Sequence, residues 1–331
     1  MNAKIDASAF RRPSDALLYH PRVLPSVIIP GPLRRVPRPL KQVYANRAMT
    51  LCIALKATDW NAGTEPLPPA LVLCTDSLGS TDFSSTETIS KTEMLPHGFV
   101  ALLAGPISTA RELVEILREQ MGAGLVGTVH LIEQIRRCLT IYKHRFAEAH
   151  IGARLGMSYR EFREQGEQGL PADLYRQTAW EVRDHYLGVA LIVAGFATEP
   201  QYGGREAVII KLDTDDRVSV CDAFAAIGSG ALLAEANLMQ RDYLSMAPVE
   251  LATYIAYESK RLGERAPGVG KQTGIMAILD RPGGAIVDAF MADNLPLLDR
   301  EFKRFGPQPL TVRKLRPLPT DVWFRVIGPS P

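Results

Sequence analysis

Thr50 opens an apolar stretch, Met49-Thr50-Leu51-Cys52-Ile53-Ala54-Leu55, in a position suited to nucleophilic chemistry. A threonine hydroxyl is a weak nucleophile and needs a base beside it. A threonine at a chain terminus carries one, because its free α-amine titrates near neutrality, at about 7.7–8.0. Three further residues fit around such a centre. Lys91, in Ile89-Ser90-Lys91, would push that amine's pKa down by like-charge repulsion and keep it neutral. Asp76, in Cys74-Thr75-Asp76-Ser77, would hold Lys91 charged and oriented. Gly105, at the turn Leu103-Ala104-Gly105, offers a backbone N–H to an oxyanion with no side chain in the way. This chemistry depends on where the chain begins, because 49 residues precede Thr50 and leave its nitrogen an amide until they are removed.

The elements that must position these residues follow from apolar periodicity. Thr50–Leu55 and Ala70–Thr75 read as buried strands joined by the loop Asp59–Pro69, and Gly98–Ala104 as a further strand. Ser80–Ser90, rich in Ser and Thr, reads as a loop with a short strand. Ser108–Met121 carries Ala110, Leu113, Val114, Ile116 and Leu117 on one helical stripe, and Val129–Ala149 reads as a second long helix. Ser158–His185 is more polar, with helical potential and a break near Gly166–Pro171, and reads as an insertion that covers or lines something. Strands are expected at Leu187–Phe196, Ala207–Leu212 and Val218–Cys221, helices at Ala231–Arg241 and Pro248–Arg261, and a closing hairpin at Thr273–Leu279 and Ala285–Phe290. Residues after Asn294 are Pro-rich and give too little pattern to assign.

This succession predicts an α+β fold, a four-layer αββα sandwich in which two sheets carry helices on both outer faces. The expected organisation is a Pro/Arg-rich leader at 1–48, a catalytic-type domain at 49–294 with a helical insertion near 150–186, and a Pro-rich tail at 295–331. The leader holds seven prolines between Pro13 and Pro39 and a net charge of +7, which leaves −5 on the rest of a chain whose net charge is +2. It reads as a solvated tail, a propeptide removed by autoprocessing, a stretch ahead of the true start at Met49, or, more weakly, a targeting peptide. Methionine is commonly removed when a small residue follows, which would expose Thr50.

Composition narrows the function classes. The mildly acidic body argues against a nucleic-acid partner. The sequence has no apolar run near 18 residues, so no membrane helix is expected. Cys52, Cys74, Cys138 and Cys221 stand singly in apolar stretches and read as reduced, buried thiols of a cytoplasmic protein. His144 and His150 are six residues apart, on different helix faces, so no zinc site is expected, and neither a metal nor a cofactor is called for. Gly268-Val269-Gly270-Lys271-Gln272-Thr273 is not a phosphate loop, because Gln272 stands where Ser or Thr would bind magnesium and Arg265 replaces the first glycine. Gly228-Ser229-Gly230 is not a serine-hydrolase elbow.

Taken in order, Met49-Thr50-Leu51-Cys52, Cys74-Thr75-Asp76-Ser77, Lys91, Ala104-Gly105 and Ala226-Ile227-Gly228-Ser229-Gly230 resemble the proteasome β-subunit and HslV family of N-terminal nucleophile hydrolases. The start at Met49-Thr50 is most similar to the bacterial Anbu branch. The resemblance covers about residues 49–294. It implies the αββα architecture and a catalytic set of Thr50, Asp76, Lys91, Gly105 and Ser229, the serine supporting the terminal amine. It also implies a threonine-type peptidase that cuts peptides or unfolded proteins through an acyl-enzyme. The subunits would form a homo-oligomeric ring or helical stack, with a possible unfoldase partner. Two departures are visible. The Thr50–Asp76 interval is longer than the family's, and 265–270 holds no aspartate where the family has one, Glu264 being the nearest acid. The alternatives are a catalytically silent subunit with an assembly or binding role, and a non-peptidase amidohydrolase of the same fold.

Overall fold

The computed structural model describes residues 50–62, 67–76, 79–80, 85–86, 90–122, 127–199, 204–281, 284–290, 294–307 and 324–326. The leader, with Met49, lies outside the described residues, as does most of the Ser/Thr-rich 77–89 segment. The described part is an α+β fold of two large antiparallel sheets and seven α-helices.

Strand β1 (Cys52–Thr58) lies second from one edge of the first sheet. It pairs with β2 (Pro69–Asp76) on one edge and with β10 (Phe224–Ile227) on the other. The sheet continues through β11 (Thr273–Arg281), β12 (Gly284–Phe290) and β13 (Phe324–Val326), in the order β10-β1-β2-β11-β12-β13. The second sheet runs β5-β6-β7-β8-β9, from β5 (Thr92–Met94) and β6 (Val100–Ala104) through β7 (Ala190–Glu199) and β8 (Gly204–Leu212) to β9 (Val218–Cys221). Two short strands, β3 (Gly79–Ser80) and β4 (Ser85–Thr86), pair with each other.

The two-residue alternation of a strand decides what each face meets. Along β1, Leu51, Ile53, Leu55 and Ala57 point to a core shared with two helices, α5 (Ala231–Gln240) and α6 (Val249–Gly263). Cys52 and Ala54 point the other way, into a core shared with Val100, Leu102, Ala190 and Ile192 of the second sheet. The outer face of that sheet, with Ala101, Leu103, Leu191 and Val193, packs on α1 (Ile107–Gln120) and α2 (Thr128–Leu155). Because both faces of these strands are buried, their sequences read as continuous apolar runs rather than as an alternation.

The 158–185 segment forms two helices, α3 (Tyr159–Gly169) and α4 (Ala172–Arg183), separated at Leu170-Pro171. Helix α3 starts with a capping box in which Ser158 and Glu161 satisfy each other's backbone N–H groups. Helix α2 extends to Leu155, six residues beyond the expected end, and stops at Gly156, whose φ of +67° suits glycine. Arg154 and His150 on α2 both bind Glu181 of α4, the histidine at 3.0 Å. The Glu148 carboxylate takes the Tyr159 N–H at 3.0 Å. These contacts fasten α3 and α4 to α2.

Three elements depart from expectation. Strand β10, four residues long, was not separable from the glycine motif that follows it. Residues 295–305, expected to be tail, form α7 (Leu295–Phe305), whose Leu298 is fully buried in the core behind α6. Asn294-Leu295-Pro296 is a helix start with proline in the first turn, where its missing N–H costs nothing. Strand β13 also lies in the segment expected to be tail.

Candidate active site

Sheet register brings the distant residues together. Cys52 pairs with Thr75 on one side and Ile227 on the other, so the residues just before β1 lie between the end of β2 and the end of β10. Asp76 donates its N–H to the Leu51 carbonyl at 3.0 Å. Its carboxylate turns back and takes the Leu51 N–H at 2.9 Å. On the other flank Gly230 gives its N–H to the Thr50 carbonyl at 3.3 Å, and the Ser229 hydroxyl donates to the same oxygen at 3.3 Å. A Cβ on Gly228, whose φ is +96°, would lie 2.2 Å from the Thr50 oxygen, so this approach requires glycine.

Lys91 enters from the second sheet, one residue before β5. Its carbonyl accepts the Leu103 N–H of β6 at 2.9 Å, which fixes its backbone. Its ammonium crosses to the first sheet and donates to the Asp76 Oδ1 at 2.7 Å and to the Thr50 hydroxyl oxygen. The Thr50 hydroxyl in turn donates to Asp76 Oδ1 at 2.5 Å. All three residues are buried: Thr50 is 2%, Asp76 1% and Lys91 3% exposed. A buried lysine–carboxylate pair is costly to desolvate, and removing one partner strands a charge.

The Asp76 carboxylate takes a fourth donor, the Gly270 N–H at 2.7 Å on Oδ2. This contact was not expected from sequence. Gly270 stands three residues before Thr273, which pairs with Asp76 across β2 and β11. The only local sign of it was the glycine-rich 268–270 stretch. Pro267 of the same loop accepts a second interaction of the Ser229 hydroxyl, at 3.1 Å. Ser229 therefore bridges the Thr50 carbonyl and the 265–270 loop.

Gly105 follows β6 with a φ of +113°, and a Cβ there would strike the Gly188 carbonyl oxygen at 2.4 Å. Leu103, two residues earlier, accepts the Cys52 thiol at 3.3 Å, which ties the end of β6 to the start of β1. Glu264, the nearest acid to the loop, is not at the site. Lys260 takes it at 2.5 Å and Arg261 at 3.2 Å.

The cysteines near the centre are not competing nucleophiles. Burial pushes the Cys74 thiol up to about 12 and raises Cys52 as well, so both stay protonated near neutrality. Cys138 is buried and Cys221 half-buried, and all four are free. Among the described residues, no cluster of His, Cys, Asp or Glu could hold a metal ion, and no helix is long and apolar enough to cross a membrane. The structure thus brings Thr50, Asp76, Lys91 and Ser229 into one hydrogen-bonded group and sets Gly105 at the end of the strand that anchors Lys91. No family model and no curated protein matches the sequence.

Proposed function

We propose that this protein is a threonine hydrolase of the N-terminal nucleophile type, with the proteasome-like αββα sandwich, that cleaves peptide bonds once Thr50 is the first residue. The observation that carries the reading is the buried triad in which the Thr50 hydroxyl bonds both Asp76 and Lys91. The packing of helices, sheet, sheet and helices supports the fold half of the reading.

In the proposed reaction the free Thr50 amine takes the hydroxyl proton, and Oγ1 attacks the substrate carbonyl carbon. The Lys91 ammonium faces the oxygen as it loses its proton and lowers the cost of that charge. Asp76 holds Lys91 in place. The Gly105 N–H receives the oxyanion of the tetrahedral intermediate. The amine's proton passes to the leaving nitrogen, an ester remains on Thr50, and water entering through the same base releases the acid. Peptide or unfolded-protein substrates, self-assembly into a ring or stack and an unfoldase partner belong to this reading.

A second reading, a silent subunit kept for assembly, draws on one observation. The loop at 265–270 supplies no acid to the site, and Glu264 is drawn off to Lys260 and Arg261. One experiment separates the two. Thr50→Ala in a chain begun at Thr50 is expected to abolish hydrolysis of fluorogenic peptides while the circular dichroism spectrum and the assembly state stay unchanged. Equal turnover in the variant would remove Thr50 from the mechanism. Absence of turnover in the parent chain across a broad peptide set would favour the silent subunit.

A further inference from the structure

A buried lysine outside the triad, Lys260, has one acceptor in the loop that reaches the site. It lies in the last turn of α6 and is fully buried. Its ammonium donates to Glu264 at 2.5 Å, one turn on, and to the Lys271 carbonyl at 2.7 Å. The second bond closes the loop 261–270. That loop delivers the Gly270 N–H to Asp76 and the Pro267 carbonyl to Ser229. The held carbonyl is one residue beyond Gly270, so the Lys260 bond anchors the loop next to the N–H that meets Asp76.

Apart from the Lys260 bond the loop is held by packing, with Val269 in the core and Ala266 against it. Its internal hydrogen bonds are short-range turns, Arg265 to Leu262, Ala266 to Gly263 and Val269 to Ala266. Its packing is tight where it meets the site: a Cβ on Gly230 would lie 3.0 Å from the Val269 side chain, and one on Gly263 would lie 2.3 Å from Leu51. A fully buried ammonium is expensive, and a surface lysine would satisfy Glu264 equally well. Burial makes sense if the amine must reach an interior carbonyl.

We infer that Lys260 is a positioning residue, a latch that holds the 264–271 loop so that Gly270 and Pro267 meet Asp76 and Ser229, in the stretch that holds no acid of its own. For its effect on turnover the inference rests on the threonine-hydrolase reading. For its effect on the loop it does not.

The test uses the chain begun at Thr50, with two variants. Lys260→Met removes the latch and leaves Glu264 without its buried partner. Lys260→Met/Glu264→Gln removes the latch but leaves no stranded charge, and so keeps a folded protein to measure. Two readouts are taken. The first is amide hydrogen exchange of the segment 265–272, expected to speed up about tenfold or more in both variants as the loop is released. The second is covalent inactivation by a set of peptide epoxyketones, electrophiles that engage a hydroxyl and its neighbouring amine. Its maximal rate is expected to fall about 10- to 100-fold in both variants, with the half-saturating concentration unchanged, because misplacement near 1 Å costs on that order.

Unchanged exchange in the variants would overturn the latch whatever the inactivation shows. Faster exchange with wild-type inactivation would overturn its bearing on the site. Recovery of the wild-type rate in the double variant would reduce Lys260 to a charge partner of Glu264 and also overturn the inference. Failure of the unsubstituted chain to react would remove the Thr50 reading, and the exchange measurement alone would then decide the latch.

Discussion

Lys91 and Asp76 each depend on the other. Both side chains are nearly free of solvent, at 2% and 0% exposed, and both also bond Thr50. Asp76→Asn keeps the shape and removes the charge that Lys91 faces. It is expected to destabilise the fold by about 3–5 kcal/mol, the usual cost of stranding a buried charge. Lys91→Met should cost a similar amount. The double variant should cost less than the sum, because the second change removes the charge that the first one stranded. Urea unfolding of the four proteins measures this, and strict additivity would show that the pair does not interact. The thiols give a pH prediction at the same scale. Cys74 is pushed up to about 12, and Cys138 also to about 12, by burial. The folded state therefore keeps protons that the unfolded thiols shed above about 8.5. Unfolding then releases protons, so stability is full below that pH and falls as pH rises toward 12. A disulfide reagent at pH 8 should leave Cys52, Cys74 and Cys138 unmodified until the protein unfolds; rapid reaction in the native state would contradict their burial.

At the scale of elements, sequence and structure part ways for identifiable reasons. The apolar stripe of α1 was legible because all five of its buried residues follow the helical period. Asp76 and Gly105 stand at the ends of strands legible in the sequence, whereas Lys91 stands just before β5, a strand too short to show there. Gly270 was not legible, because its meeting with Asp76 depends on β11 pairing with β2 across nearly two hundred residues, and register is not written in either strand alone. Ser229 was legible from the Gly-Ser-Gly motif, but its contacts with the Thr50 carbonyl and Pro267 were not. Helix α7 is hard to read from sequence because Pro296 belongs by composition to the Pro-rich stretch beyond it, although a proline in the first turn marks a helix start. The element matters to stability. Leu298 is fully buried among Leu295, Phe302 and the residues of α6. Leu298→Ala is expected to cost about 2–5 kcal/mol, read from denaturant midpoints at an unchanged slope. A change below about 0.5 kcal/mol would show that 295–305 is the dispensable tail its composition suggests.

For the whole molecule, one covalent fact separates two states with the same triad. With residue 49 attached, the Thr50 nitrogen is an amide, and the acceptor that the hydroxyl proton faces is the Asp76 carboxylate. That carboxylate already accepts from Lys91, Leu51 and Gly270. With residue 49 removed, an amine sits on the same carbon skeleton as the hydroxyl and can take the proton without disturbing Asp76. The full 331-residue chain is therefore expected to fold, to carry the same buried triad and to turn over no peptide. A chain begun at Met49, trimmed by the host's methionine aminopeptidase, is expected to hydrolyse peptides. Intact mass should decide first which chain is in hand: one beginning at Thr50 has the amine, and one beginning at Met1 does not. Equal peptide hydrolysis by both chains, with the long one verified as intact after the assay, would mean that the base is not the Thr50 amine. Asp76 would then be the group to substitute next.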